Sequence, residues 1–370
     1  MRILVTVPWG EPLGGAESML QGVLDGAREE GHELELVFMQ GGSWPVQLRQ
    51  AGFQVDVIAT GRLRDVTRSA VSVVRLARLM RRRNPDLILN WAAKTQLYGA
   101  PAALLAGMAR RVVWWQHSIP GGNWLDRVAT LLPAVAIGCT SQAAAVAQAR
   151  LFPARHTFVV AAGAPVPAAG SPTVSLDLPV GVPIVGLVGR LQPWKGQDRL
   201  LRAHALLRER GHRLHTLIVG GDAYGLSTDY AASLPGLIEE LGLASEVTLT
   251  GQVADAGPYI ERLDVLVNAS DPEPFGIVLL EGMARGVAVL AVNSGGPAGI
   301  VEDGVTGVLA ASGEPAALAD SLEGLLASEQ RRQELGRAGH ESFMRDFTEA
   351  AMRRRFFAAL EAVIERGAAR

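Results

Sequence analysis

The sequence predicts an α/β protein made of two doubly wound domains, and three observations carry that expectation. Short β-branched or aliphatic runs alternate with amphipathic helical stretches along the whole chain. Those runs are nearly all apolar, the pattern of parallel strands covered by helices on both faces. One stretch rich in Pro, Gly, Ala and Ser interrupts the alternation near the middle. At 370 residues the chain also exceeds one ordinary hydrophobic core, so two domains are expected.

Taken in order, the strand candidates of the first half are RILVTV, ELELVFM, FQVDVIA, DLILNW, RVVWWQH and AVAIGCT. Helical patterns such as Ala16–Glu30 and Val66–Arg83 lie between them. The stretch AAGAPVPAAGSPTVSLDLPVGVP has the composition of a linker. A second series then follows: PIVGLVG, LHTLIVGG, EVTLTG, DVLVNAS, VAVLAVN and TGVLAA. From about Glu314 to Arg370 the chain reads as helical. The expected domains are therefore 1–163 and 183–346, with a linker over 164–182. A C-terminal helix over 347–370 has a return to the first domain left open.

Composition excludes several classes. A hydrophobic content of 48% with 19% charged residues fits a well-buried globular protein. The net charge of −2 lacks the basic excess of a nucleic-acid binder. Cys139 is the only cysteine, so it forms no intramolecular disulfide, and its place in a strand run suggests a buried, inert thiol. The opening MRILVTVPWG meets acidic Glu11 early and shows no small-residue cleavage site. The uncharged apolar stretch Thr95–Ala109 is shorter than the roughly 18–20 residues of a membrane span. A cytoplasmic protein is expected, with peripheral contact on the inner face of the membrane as an option. That option rests on RSAVSVVRLARLMRRR, where Arg75, Arg78, Arg81, Arg82 and Arg83 accompany Val71, Val74 and Leu79 at helical spacing. Such a helix lies on an anionic membrane or, more plainly, packs on the first sheet with its arginines in water.

In doubly wound sheets ligands bind beyond the carboxyl ends of strands, and three stretches fall at such ends. Gly14 and Gly15 follow the first strand and open the first helix, where a phosphate or sugar can approach the backbone; a plain glycine turn reads the same way. The segment is not G-x-G-x-x-G, which argues against a nicotinamide or flavin enzyme. Arg190 and Lys195, on the glycine-bounded loop VGRLQPWKGQD, offer one planar fork and one point charge to a diphosphate; a solvated surface loop is the alternative. In SDPEPFGIVLLEGMA a helix starts near Gly276, leaving the amides of Gly276, Ile277 and Val278 as free donors. Glu281, one turn inside, can accept both hydroxyls of a ribose, and Glu273, before the helix, can accept those of a sugar. Glu273 as a dipole partner and Glu281 as a solvated residue are the plainer readings, although Glu281 stands in an otherwise apolar run. Together these stretches fit a nucleotide diphosphate sugar.

With these residues in place, the chain resembles the retaining family-4 glycosyltransferases of the two-Rossmann-like-domain GT-B architecture. Glu273–Glu281 matches their Glu-x7-Glu motif, GRLQPWKGQDRLLRA their GR…KG loop, and GGAE…GHELELV their N-terminal pattern. The resemblance implies two facing doubly wound domains and places Arg190 and Lys195 on the donor diphosphate, Glu281 on the ribose and Glu273 on the donor sugar. It implies that Phe275, Gly276, Ile277 and Val278 line the sugar and phosphates and that the backbone at Val253 reads the base. His117, at the end of RVVWWQH, matches a histidine near the transferred sugar; a structural histidine is the alternative. Gly299 stands where a glutamate is common, and NWAAKTQ replaces a strand end that often carries histidines, so acceptor recognition does not carry over.

The expected function is transfer of a hexose, with retention, from a UDP- or GDP-sugar to a glycan, lipid-linked or small-molecule acceptor. No other cofactor and no metal are expected, because no Asp-x-Asp pair follows a strand. No residue offers itself as a covalent nucleophile, which points, with the resemblance, to front-face displacement. The competing readings are a sugar-nucleotide epimerase or hydrolase, a glycan phosphorylase with a pyridoxal-binding lysine, and a non-catalytic two-lobed sugar-binding protein.

Overall fold

The structure is a computed structural model describing residues 1–12, 14–61, 65–168, 174–222, 225 and 227–368. Contacts divide the chain into two compact units, one of Met1–Ala162 with Ala350–Arg370 and one of Gly163–Glu349. Each is an α/β unit with its own parallel sheet.

In the first unit the strands are β1 (Arg2–Val7), β2 (Glu33–Phe38), β3 (Gln54–Val57), β4 (Leu87–Asn90), β5 (Val112–Gln116), β6 (Ala136–Cys139) and β7 (Thr157–Val159). They pair in the order β3-β2-β1-β4-β5-β6-β7, parallel throughout. The helices α1 (Gly15–Gly26), α2 (Ser43–Gln50), α3 (Val66–Arg83), α4 (Ala93–Ala106), α5 (Trp124–Leu131) and α6 (Gln142–Ala149) separate them. β4, β5 and β6 are buried along their whole length, which is why their sequences are unbroken apolar runs rather than alternating ones. Cys139 lies within that sheet, and burial pushes its thiol up to about 12, so it is an inert core residue.

The last helix, α13 (Glu349–Ala368), belongs to this first unit. Phe356 fills the space against Trp91 and Trp115, with ring centroids 6.1 and 4.9 Å away. Phe357 stacks on His32 at 4.1 Å. Arg353 donates to the Gly22 carbonyl at 3.0 Å. Each fully buried phenylalanine contributes about 1.5–3 kcal/mol of transfer free energy, so this helix is a structural part of the first core.

α3 shows where its basic residues go. Asp65 caps its first turn by accepting from the Arg68 amide, and Asn84 closes it in the left-handed region. Ser72, Leu76, Ala77, Leu79 and Met80 are buried. Leu79 therefore faces the core, whereas Val66, Val71 and Val74 are exposed beside the arginines. Arg83 is held by Glu35 at 3.4 Å and Asp56 at 3.2 Å. Among the described residues no helix is long and apolar enough to cross a membrane.

The second unit contains β8 (Ile184–Val188), β9 (His215–Val219), β10 (Val247–Leu249), β11 (Val265–Asn268), β12 (Ala288–Val292) and β13 (Val308–Ala310). Their order is β10-β9-β8-β11-β12-β13, again parallel. The helices are α7 (Gln197–Glu209), α8 (Thr228–Glu240), α9 (Gly257–Ile260), α10 (Ile277–Ala284), α11 (Pro315–Leu326) and α12 (Glu329–Asp346). Strand order reverses between β1 and β4 in the first sheet and between β8 and β11 in the second. Loops leaving the carboxyl ends at such a reversal diverge and open a crevice. The loops after β8 and β11 carry Arg190, Lys195 and Glu273.

Candidate active site

The loop after β8 is held by its own side chains. Gln197 donates to the Arg190 carbonyl at 2.9 Å, and Pro193–Lys195 form a short 3-10 turn. Gly196 then takes φ 75° to enter α7, and a Cβ there would stand 2.6 Å from the Ala269 carbonyl oxygen. Only glycine permits both the conformation and the approach. Arg199 closes the arrangement by donating to the carbonyls of Trp194 at 3.0 Å and Ala269 at 2.7 Å. The Asp271 amide also donates to the Trp194 carbonyl, at 3.1 Å. The ends of β8 and β11 are thereby locked together.

Lys195 sits at this junction. Its Nζ lies 2.8 Å from Glu273 Oε2 and 4.0 Å from the centre of the Trp194 ring. Asn268, the last residue of β11, donates to the same carboxylate oxygen at 3.3 Å, and the Phe275 amide to Oε1 at 3.4 Å. The Glu273 backbone is fixed as well, through Ser294 at 3.0 Å and Gly296 at 2.7 Å beyond β12. Burial raises the Glu273 carboxyl, but the Lys195 charge and hydrogen bonds from Lys195, Ser270 and Asn268 outweigh it, so the net shift is downward. Glu273 is a buried, ionised, fully oriented carboxylate.

Next to it the chain turns at Gly276, φ 105°, into α10. The amides of Gly276, Ile277 and Val278 have no partner among the described residues, and no side chain caps the helix. Phe275 is buried beside them. The Arg190 guanidinium, on the neighbouring loop, is likewise without a hydrogen bond or ion pair among the described residues. Free amides near a bound ammonium, with an unpaired guanidinium on the same loop as that ammonium, make a donor-rich locus suited to an anion.

Glu281 lies one turn along α10. Burial pushes its carboxyl upward, the Arg285 charge opposes this, and Asp255 adds to it. Its side chain makes no hydrogen bond among the described residues, while Arg285 is drawn to Glu261 at 3.5 Å. Val253 is half-buried in the loop after β10, and its carbonyl accepts from Gln252 at 3.4 Å. Arg190, Lys195, Val253, Glu273, Phe275, Gly276, Ile277, Val278 and Glu281 thus all belong to the carboxyl side of the second sheet.

Residues 174–342 match the glycosyl transferases group 1 family, and residues 13–164 match Glycosyltransferase Family 4. The chain belongs to the family-4 glycosyltransferases. It is 40% identical over 165 residues to a D-inositol 3-phosphate glycosyltransferase of Nocardia farcinica, covering 44% of this chain and 36% of that protein. With the lipopolysaccharide core biosynthesis glycosyltransferase LpsE of Rhizobium meliloti it shares 33% over 177 residues, 48% of this chain and 49% of the relative. The chain therefore spans between about a third and a half of these curated relatives. Crystal structures of Anabaena HepE, with UDP and with UDP-glucose, align at a TM-score of 0.83 and 26% identity over 98% of this chain and all of theirs. The sucrose-phosphate synthase of Thermosynechococcus elongatus aligns at 0.80 and 20% identity over 98% of this chain and 99% of its own, a likeness of GT-B fold alone.

The remaining two glycines and the histidine lie in the first unit. Gly14 precedes and Gly15 begins α1, and Trp91, just after β4, donates its indole N–H to the Ala16 carbonyl at 3.0 Å. His117 follows β5 and meets the Trp91 ring edge-on at 4.8 Å. Burial pushes its imidazole down to about 3, a hydrogen bond with the Trp91 backbone opposing, and its Nε2 is buried without a partner. It is a neutral group at neutral pH. Sequence reading missed Asn268, Ser270, Trp194 and Arg199. Asn268 carried a signal, as a polar residue closing the apolar run of β11.

Proposed function

We propose that this protein transfers a hexose from UDP-hexose to an acceptor bound by the first unit, with retention of configuration and without a metal. The observation that carries the reading is the Lys195–Glu273 pair beside the unpaired Arg190 and the free amides of Gly276–Val278. UDP as the nucleotide is supported by the complexes of Anabaena HepE with UDP and UDP-glucose.

Arriving diphosphate oxygens compete with Glu273 for Lys195. A carboxylate accepts about four hydrogen bonds, and Glu273 already takes those of Lys195, Asn268, Ser270 and the Phe275 amide. Transfer of Lys195 to the diphosphate would free a lone pair for a hydroxyl of the sugar. Charge growing on the departing diphosphate would then be met by Lys195, Arg190 and the free amides, preorganised in a partly buried site. Glu281 would accept from the ribose and Val253 would face the base. Because Glu273 is held ionised by three side-chain donors, hydroxyl binding suits it better than attack on carbon. The acceptor would enter on the leaving-group side and pass its proton to the diphosphate. On α3 the exposed Val66, Val71 and Val74 beside the arginines would give an anionic membrane surface both an apolar and a basic contact.

Incubation with UDP-glucose, with and without EDTA, tests this reading. UDP release unchanged by EDTA and a first-formed glucoside of the donor's anomeric configuration by NMR are expected. Metal-strict turnover, an inverted product or a glycosyl-enzyme adduct would overturn it.

A further inference from the structure

Of the 35 lysine and arginine residues only Lys94 and Lys195 are lysines. Both follow a strand that borders the reversal of its sheet: Lys195 comes after β8, and Lys94 is the second residue of α4, after β4. Both lie over an indole, Lys195 at 4.0 Å from the Trp194 ring centre and Lys94 at 4.3 Å from that of Trp9. Arginine serves everywhere else a cation is needed, so a compact ammonium is reserved for these two positions.

Lys94 has no local reason to be there. A cation in the first turn opposes the helix macrodipole, and α4 carries no acidic residue in that turn. Among the described residues Lys94 makes no hydrogen bond and no ion pair, and its burial holds the ammonium below its usual range. Its indole neighbour, Trp9, leaves β1 on the other side of the reversal and is 43% exposed. The next strand end, after β5, presents the unpartnered Nε2 of His117. A half-buried cation without a counter-charge, set over the Trp9 indole at the carboxyl edge of a doubly wound sheet, is the complement of a missing anion.

We propose that Lys94 binds an oxyanion of the acceptor, a phosphate or carboxylate, with Trp9 and His117 flanking it. The inference rests on the transfer reading above and names the acceptor class for it. Lys195 and Lys94 then divide the labour: one ammonium holds the donor diphosphate and the other the acceptor charge.

With two lysines in the chain, amine labelling of the full-length protein followed by peptide mass spectrometry reads both sites at once. UDP should slow labelling of Lys195 and leave Lys94 unchanged. Glycerol 3-phosphate or glucuronate should slow Lys94 about tenfold, the scale of one charge-assisted hydrogen bond, while glycerol and glucose do not. Whichever anion acts distinguishes phosphate from carboxylate. Lys94→Met, which costs the fold only the ammonium's contact with the Trp9 ring, should lose the thermal stabilisation by that anion and keep that by UDP, and Lys94→Arg should restore part of it. Equal behaviour of anionic and neutral compounds at Lys94, with UDP still protecting Lys195, would overturn this inference and leave the transfer reading standing. UDP protection of Lys94 would make it a donor residue and overturn the inference too. Failure of UDP to protect Lys195 would remove the donor reading and this inference together.

Discussion

Replacing Lys195 by Met removes one partner of a pair 2.8 Å apart whose side chains are 18% and 7% exposed. Breaking a fully buried pair costs about 3–5 kcal/mol, because the remaining charge is left desolvated. Here Asn268, Ser270 and the Phe275 amide stay with the carboxylate, and Glu273 can escape by taking up a proton. We therefore expect about 2–3 kcal/mol at pH 7, at or below the lower end of that range. Glu273→Gln should cost about 1 kcal/mol, and the double variant less than the sum by at least about 1 kcal/mol. Urea titrations followed by tryptophan fluorescence measure all three. The pH dependence has a defined sign. The folded Glu273 carboxyl lies below its ordinary value of 4.5, so its contribution is complete above that value and is lost as pH falls through the folded one. The gap between wild type and Lys195→Met should close over that window. Donor turnover should stay low, by roughly 10²-fold or more, in every variant, including the double one whose stability cost falls short of the sum. Stability costs that add within about 0.5 kcal/mol would refute the pairing as the source of the order at this site.

Arg190→Ala should lower kcat/KM for UDP-hexose by roughly 10²-fold and leave stability within about 0.5 kcal/mol of wild type, since its guanidinium has no partner to lose; equal loss of both would sink its assignment. Glu281 is a carboxyl whose folded value burial raises, so the ionised form costs stability above that value. Glu281→Gln should raise the melting temperature at pH 7 while weakening UDP binding about tenfold or more, and a lower melting temperature would contradict the desolvation argument. His117, pushed from 6.5 to about 3, disfavours the fold as the unfolded state takes up its proton. Its share of stability should therefore decline as pH drops from 6.5 to about 3, a slope absent in His117→Phe, and NMR detection of a protonated His117 at pH 6 would end this reading.

The strands were legible because both sheets are buried on two faces, which turns each strand into a continuous apolar run. β7, Thr157–Val159, escaped because it runs on into AAGAPV, whose composition reads as the start of the linker. Residue types at strand ends pointed to Arg190, Lys195, Glu273 and Glu281, yet not to their partnerships. Lys195 and Glu273 are 78 positions apart, and the register of β8 against β11 brings them together. Arg199 was hidden for a similar reason: as one more arginine on a helix it reads as solvated, and only the folded chain shows it bracing Trp194 and Ala269.

The position of Phe356 has a consequence for biosynthesis. The aromatic stack of Trp91 and Trp115 belongs to residues made early, whereas the ring that completes it emerges from the ribosome after the whole second unit. Domains commonly fold in the order in which they are synthesised, but here the first-born sheet must wait with an open aromatic seam while the later one closes on itself. Nascent chains stalled before and after α13 should differ in protease resistance at residues far upstream. A cell limited in chaperones would then lose this protein chiefly through its N-terminal half.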